Sequence, residues 1–409
     1  YFDDFKNFIN PILDQDITDM WRDNHADNFN DTHICHYGEH LKHKMTFTWN
    51  YLVSNNIVVE SEEAMMKFVE DGIIDLLLHE VGHTLGLRHN FKASSVFTYD
   101  ELSDVTFTSE HGVTGSVMDY NATNLLDGGI NYFQTKPGPY DYWAIEYGYS
   151  EPPFTSNITE KEWLETIALK SIDPWLAYGT DEDAYGTSID PLTSRRDMTS
   201  EPVRFYENQI KIANKYWDDL LTNFEKEGER YPKLRSVFWS GMSEYYGASR
   251  NLPKFIGGIY HSRHHIGQKT NLLPLTVVNA EDQRKALSFL LNSILDENAF
   301  SFEPDFLNKM APERYDDFTG SMWRMQRIDF PIHNIIKSLQ KSTLARIHHP
   351  RIIHRLHDNI LRVNSNKNMF SIFELFETVS DELWNELDRL HGINSFRRET
   401  QSFYIDLLT

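Results

Sequence analysis

At 409 residues, 40% of them apolar and including 26 Phe, 20 Tyr and 9 Trp, the chain has material for two or three ordinary globular domains. Lysine and arginine number 39 against 61 aspartates and glutamates, and the resulting net charge of −22 argues against nucleic acid or an anionic membrane as the main partner. No apolar run approaches the ~18 residues that a membrane span needs, and the run from Ile73 to Leu78 is broken by Asp75, so no membrane insertion is expected.

The first forty or so residues are acidic, aromatic and weakly patterned, and a helix near Asp16 to Asp23 is all that they predict. Cys35 is the only cysteine, so no intrachain disulfide can form. Its setting, His33-Ile34-Cys35-His36, raises a second metal site or a thiolate holding a latent metal. Neither a CxxC pair nor an inhibitory propeptide motif surrounds it, and the reading is a reduced, packed thiol. From Lys44 onward Met45, Phe47, Trp49 and Tyr51 alternate with polar residues, the period of a half-buried strand. Asn55-Asn56 then reads as a turn and Ile57 to Val59 as a second strand, making a hairpin.

Ser61 is a candidate N-cap followed by Glu62 and Glu63, whose charge suits the positive end of a helix expected to run to about Leu87. From Ile73 apolar residues cover nearly every face, which predicts burial all round. Within this helix lies LHEVGHTLGLRHN, the pattern HExxHxxGxxH on His79, Glu80, His83, Gly86 and His89. Four residues advance a helix by roughly one turn, so His79 and His83 leave the same face and can grip one metal ion. Glu80 points beside that ion, where a carboxylate can act as a base. Gly86 can take the left-handed conformation that ends a helix, letting the chain turn back and present His89 as a third ligand. Five fixed positions match by chance on the order of once in three million starts. Two imidazoles and a carboxylate in an apolar helix are costly to desolvate unless a metal compensates them, and zinc fits three such ligands with a fourth position open. Glu101 is the competing third ligand, since some zinc peptidases take a glutamate from a following helix. Thr98 to Thr108 lacks a clear helical period, and the aspartate expected four residues on is Val105.

Downstream comes Gly115-Ser116-Val117-Met118-Asp119-Tyr120. The elongated histidine motif followed by a methionine in a tight turn resembles the metzincin clan of zinc peptidases. The resemblance implies that Met118 packs as an apolar floor beneath the three imidazoles without ligating the metal. By the same analogy Tyr120, two residues on, is an oxyanion stabiliser. HEVGHTLGLRHNF, SVMDY, GPYDYWAIEYGY and WLAYGTDEDA, with Gly257-Gly258-Ile259-Tyr260, Arg263 and Gln283 to Leu290, resemble a bacterial group of predicted zinc-dependent metalloproteases with an uncharacterised C-terminal region.

Gly- and Asn-rich residues from Asn121 to Pro139 suit the wall of a substrate cleft, and Gly138 to Tyr149 reads as a capped helix. Glu151-Pro152-Pro153 and the stretch from Tyr178 to Arg196 read as connections. Amphipathic helices are expected over Glu201 to Glu229, Glu281 to Leu295, Ile332 to Ile347 and Ser371 to Leu390. His261, His264, His265, His348, His349, His354 and His357 lack the spacing of a second metal site.

The expected fold is α+β. A metzincin-like core over residues 1–150, with a twisted sheet, an active-site helix and a Met-turn, precedes a connecting segment, 151–200, and an α-helical domain, 201–409. Only about two strands are found ahead of the helix, so the core's N-terminal part is expected to be incomplete. The expected activity is zinc-dependent endopeptidase action on protein or peptide substrates, with one zinc on His79, His83 and His89 and with Glu80 as general base. The alternatives are a zinc-containing peptide-binding or assembly module without turnover, or a latent proenzyme fragment. Structural calcium is neither required nor excluded. No signal peptide opens the chain at Tyr1, which is read as a processing boundary, and a secreted, periplasmic or cell-surface location is expected.

Overall fold

The computed structural model describes residues 35, 37–127, 129–154, 157–184, 188–268, 273–312, 329–363, 368–388 and 392–409. The helix expected near Asp16 to Asp23 lies outside these residues. In chain order the elements are α1 (Tyr37–Ser54), α2 (Glu62–Thr84), α3 (Tyr99–Ser103), α4 (Val105–His111), α5 (Pro139–Tyr149), α6 (Glu160–Ala168), α7 (Asp181–Ala184), α8 (Pro202–Asp218), α9 (Leu220–Phe224) and α10 (Pro232–Asn251). After them come β1 (Ile259–His261), β2 (Leu275–Val277), α11 (Ala280–Leu290), α12 (Pro304–Asn308), α13 (Ile332–Ile347), α14 (Pro350–Asn359), α15 (Ile372–Leu383) and α16 (Ser395–Leu408). Helices dominate, and the sheet among the described residues is the antiparallel pair β1–β2, with Tyr260 opposite Thr276.

Two compact units divide the chain. One runs to Phe205 and takes back Gly257–Val278; the other comprises Tyr206–Ile256 and Asn279–Thr409 among the described residues. In the second unit Trp217 of α8 stacks on Tyr245 of α10, with ring centroids 5.4 Å apart, and on Phe238 at 5.1 Å. Its indole N–H donates to the Phe238 carbonyl at 3.2 Å, so the ring buries its area without orphaning its donor. The helices expected from amphipathic periods are present here as α8 with α9, α11, α13 and α15.

The first unit corrects the expected hairpin. Residues 45–51 belong to α1, and among the described residues no strand precedes α2. The buried positions Tyr37, Leu41, Lys44, Phe47, Thr48 and Leu52 recur every three to four residues, and that helical seam outranks the local alternation of aromatic and polar residues. Asn55-Asn56 stops the helix. Asn56 takes a left-handed φ of 56°, its N–H bonds to the Val53 carbonyl, and the Ile57 N–H reaches back to the Leu52 carbonyl, which together form a Schellman motif. Ile57 and Val59 are exposed, at 53% and 82%, and pair with no strand.

As expected, α2 starts at Ser61, whose side chain accepts the Ala64 N–H. Its end is a second Schellman motif: Gly86 has φ 86°, its N–H bonds to the His83 carbonyl, and the Leu87 N–H bonds to the Gly82 carbonyl. Burial all round is corrected. The buried stripe of α2 is Phe68, Gly72, Asp75, His79 and Gly82, whereas Ile73, Leu77 and Val81 are about half exposed. The inward face therefore carries the polar groups, and much of the apolar content faces outward. No helix among the described residues is long and apolar enough to cross a membrane.

Asp75 anchors α1 to α2. Its carboxylate accepts the Tyr37 hydroxyl at 2.8 Å and the Gln134 backbone N–H at 3.0 Å, and the side chain is fully enclosed. Burial lifts its pKa from 3.8 to about 7 despite these two hydrogen bonds. The folded chain thus holds this proton more tightly than the unfolded chain, so Asp75 makes stability fall as pH rises from about 4 to about 7. The full effect corresponds to roughly 4 kcal/mol. Asp75→Asn cannot ionise, so in denaturant titrations at pH 4.5 and pH 8 the unsubstituted protein should lose more stability across the interval than the variant. Equal losses would mean that Asp75 stays ionised in the folded chain.

Candidate metal centre

His79 and His83 lie one turn apart on α2, with ring centroids 4.8 Å from each other. The Schellman stop at Gly86 reverses the chain and brings the His89 ring to 4.8 Å from His83 and 5.5 Å from His79. One ligand atom from each of His79, His83, His89 and Cys35 falls in a group within 4.8 Å of one another. It is the one such group of three or more potential metal ligands among the described residues.

Every imidazole in the group has its Nδ1 tied down. Nδ1 of His79 lies 2.7 Å from the Val117 carbonyl, that of His83 is 3.0 Å from the Leu87 carbonyl, and that of His89 is 2.9 Å from Asp181 Oδ1. A carbonyl or carboxylate oxygen only accepts, so each Nδ1 carries the proton and each Nε2 keeps a lone pair. Nε2 of His83 and of His89 is buried without a hydrogen-bond partner. Buried nitrogens orphaned in this way, with lone pairs directed at one point, fit a divalent metal. Three neutral imidazoles suit zinc in particular.

The surroundings act oppositely on the two buried imidazoles. Burial drives the His79 pKa down to about 3, which keeps the imidazole neutral. At His89 burial also lowers the pKa, but the hydrogen bond and charge of Asp181 outweigh it and leave the ring more basic than usual. Burial, the largest influence on Asp181, acts in the opposite sense, yet the hydrogen bond and charge of His89, with a backbone hydrogen bond and Arg88, together outweigh it and hold the carboxyl below its ordinary range. A carboxylate behind the distal nitrogen makes the near one a stronger donor.

Beneath α2 runs the turn of residues 116–120. Asp141 of α5 fastens it: Oδ1 accepts the Ser116 hydroxyl at 2.5 Å, and Oδ2 accepts the Val117 and Gly138 N–H groups, each at 2.8 Å. That contact points the Val117 carbonyl at His79. Met118 is fully buried, and its Sδ fills the space where a side chain on Gly82 would begin, 2.2 Å from a Cβ placed there. Tyr120 is 4% exposed, its ring 4.8 Å from His89 and 5.5 Å from His79, and its hydroxyl donates to Cys35 Sγ at 3.4 Å. Glu80 is exposed, and its Oε1 accepts from Cys35 Sγ, also at 3.4 Å.

Every residue singled out in the motif therefore meets here, joined by two others that the sequence reading had not placed. Asp181 sits in the stretch read as a connection, inside the WLAYGTDEDA string; that likeness was its only signal. Cys35, for which the sequence raised a metal-holding thiolate and then preferred a packed thiol, lies within the group. Glu101, by contrast, is spent locally. Residues 99–103 and 105–111 are short helices after all, and the Glu101 carboxylate closes a capping box with Thr98.

The β1–β2 hairpin, returning from far along the chain, braces the segment that carries Asp181. Arg263 pairs with Asp183 at 2.6 Å and lies 5.1 Å over the Tyr178 ring, and Asp183 in turn accepts the Thr180 N–H at 3.0 Å. Lys92 bonds to Asp190 at 2.6 Å and to the His261 carbonyl at 2.8 Å. Asp181→Ala should lower affinity for a divalent metal by ~10- to 100-fold, measured by chelator competition, because it frees the His89 ring. Unchanged affinity would show that the carboxylate does not orient this ligand.

The Met-zincin family model matches residues 61–390, and no curated protein or solved structure gives a match. That span starts at the N-cap of α2, takes in the imidazoles, the methionine turn and the bracing hairpin, and covers well over half of the chain. The chain therefore belongs to the Met-zincin family, a metalloprotease family of the metzincin clan.

Proposed function

We propose that this protein is a zinc-dependent endopeptidase in which His79, His83 and His89 hold the metal, Glu80 is the general base and Tyr120 stabilises the oxyanion. The convergence of three imidazoles, His79 and His89 buried and His83 partly so, each with Nδ1 committed elsewhere and a ligand atom within 4.8 Å of the others, carries the reading. Bound zinc supplies Lewis acidity there, polarising the scissile carbonyl and making water more acidic.

The protein's own groups do the rest. Glu80 stands next to the first ligand with its carboxylate exposed toward the same point, so it can take the proton of the attacking water and pass it to the leaving amine nitrogen. The Tyr120 hydroxyl reaches into the group from the turn and can donate to the oxygen that gains charge as the carbonyl becomes tetrahedral. Met118 serves as the Met-turn floor, where its thioether keeps α2 and the turn in register against Gly82. A purely structural site has no need of a base beside its ligands, so Glu80 favours turnover over a binding module.

Glu80→Ala should keep one zinc per chain while cutting casein hydrolysis by about 10²-fold or more. His79→Ala and His83→Ala should lose the zinc as well, as read by elemental analysis. Retained hydrolysis in Glu80→Ala would remove the base assignment. Tyr120→Phe should lower kcat by ~10²-fold with KM little changed; a change confined to KM would place Tyr120 in substrate binding instead.

A further inference from the structure

We infer that Asp119 and Asp197 form a carboxyl pair that shares one proton, and that this pair positions Tyr120 for its part in the reaction. The inference rests on the reading of Tyr120 as the oxyanion stabiliser. Both aspartates are fully enclosed, at 0% exposure, and a single residue bridges them. The Ser94 N–H donates to Asp119 Oδ2 at 2.7 Å, and the Ser94 hydroxyl donates to Asp197 Oδ1 at 3.1 Å. Asp119 Oδ1 is buried without a hydrogen-bond partner. A bare carboxylate oxygen is costly in such a place, whereas a protonated one becomes a donor. Two carboxyls held on one serine inside the protein cannot both stay ionised, so one proton remains with the pair. Oδ2 of Asp119 already accepts, which leaves Oδ1 to carry the proton and Asp197 to accept it. Burial, and then the charge of Asp197, push the Asp119 carboxyl well above its ordinary range, in keeping with that assignment.

The pair reaches Tyr120 through the backbone. Asp119 precedes Tyr120 directly, and Asp197 belongs to a segment that grips the same turn: the Arg196 N–H donates to the Tyr120 carbonyl at 2.8 Å, and the Ala122 N–H donates to the Asp197 carbonyl at 3.3 Å. That segment is seated in turn on the return from His89, where the Ser194 N–H bonds to the Phe91 carbonyl at 2.9 Å and the Ser200 N–H to the Phe97 carbonyl at 2.7 Å. Arg196 and Thr199 bracket Asp197 with φ of 68° and 69°, the left-handed region that residues other than glycine seldom occupy. Such conformations persist only where surrounding contacts impose them, and the enclosed carboxyl pair is such a contact.

Around the pair, Tyr37 of α1 is the titratable group that feels the charge of Asp119, and its hydroxyl is spent on Asp75. Lys92, on the return segment, is spent on Asp190 and the His261 carbonyl, and Arg195 and Arg196 flank Asp197 on its own segment. Each imidazole Nδ1 is already committed to another acceptor, so the pair acts on the reaction through Tyr120 and not through the metal ligands. Asparagine at either position can imitate the protonated member, since its amide nitrogen donates where the acid proton did; alanine cannot.

The test has a spectroscopic arm and a kinetic arm, both on the full chain. In infrared difference spectra at pH 7, taken against the unsubstituted protein so that the other buried carboxyls cancel, Asp119→Asn should remove a carboxylic-acid C=O stretch and Asp197→Asn should remove or move the same band. No change in either variant means that both carboxyls are ionised, and a change in Asp119→Asn alone means that the proton belongs to Asp119 without Asp197; either result overturns the shared proton and leaves the reading of Tyr120 standing. In casein hydrolysis by the zinc-loaded chain, Asp119→Ala and Asp197→Ala should each lower kcat by about tenfold or more with KM little changed and one zinc still bound, while the two asparagine variants stay close to the unsubstituted rate. Added to Tyr120→Phe, Asp119→Ala should cost little further, because both changes remove the same contribution. A full additional loss in that double variant would overturn the positioning role and make Asp119 a general support of the fold. If Tyr120→Phe alone leaves kcat unchanged, the oxyanion reading falls and the positioning role with it, while the infrared result still decides the shared proton.

Discussion

Three N–H groups govern where chemistry can occur in this molecule. His79, His83 and His89 each donate from Nδ1 to an acceptor on a different piece of backbone or side chain: the Val117 carbonyl, the Leu87 carbonyl and the Asp181 carboxylate. Each bond fixes a tautomer and a ring rotation together, so the three lone pairs left over face one another. Burial then makes that arrangement costly to leave empty, at about 1–3 kcal/mol for each polar atom without a partner. A cation is the natural partner for such a group.

Much of the first unit can be understood as support for those three bonds. Asp141 accepts from Ser116, Val117 and Gly138, and so holds the turn that offers its carbonyl to His79. The Schellman stop at Gly86 puts the Leu87 carbonyl within reach of His83 and sends the chain back with His89. Asn90 then ties this return to both sides of the site, its N–H bonding to the Met118 carbonyl and its side-chain amide to Ala177 and Gly179. Arg263, just after β1, completes the support by pairing with Asp183, two residues from the carboxylate that orients His89. A region whose sequence suggested no chemistry thus has a mechanical role in this unit.

How legible each part was depended on how local its physics is. The motif helix could be read directly, because the His79–His83 spacing, the Ser61 cap and the Gly86 stop are all decided within one or two turns. Residues 45–51 misled, since Met45, Phe47, Trp49 and Tyr51 alternate over a window too short to reveal the longer seam from Tyr37 to Leu52. The buried face of α2 was also out of reach. Its apolar residues lie all round, and only packing against α1 and the methionine turn determined that His79 and Asp75 face inward while Leu77 and Val81 face out.

The sequence by itself determined which residue types could bind and activate: a helical pair of imidazoles, a carboxylate beside them, a third imidazole after a glycine stop, and a methionine and a tyrosine downstream. These features follow from backbone geometry over a few residues, where spacing translates directly into position. Tertiary structure alone decided which distant groups complete the set. Asp181 reaches His89 across more than ninety intervening residues, and Cys35 reaches His79 only because Tyr37 docks on Asp75. Such pairings are settled by burial and by the need of each enclosed donor for an acceptor, and neither condition exists until the chain has folded.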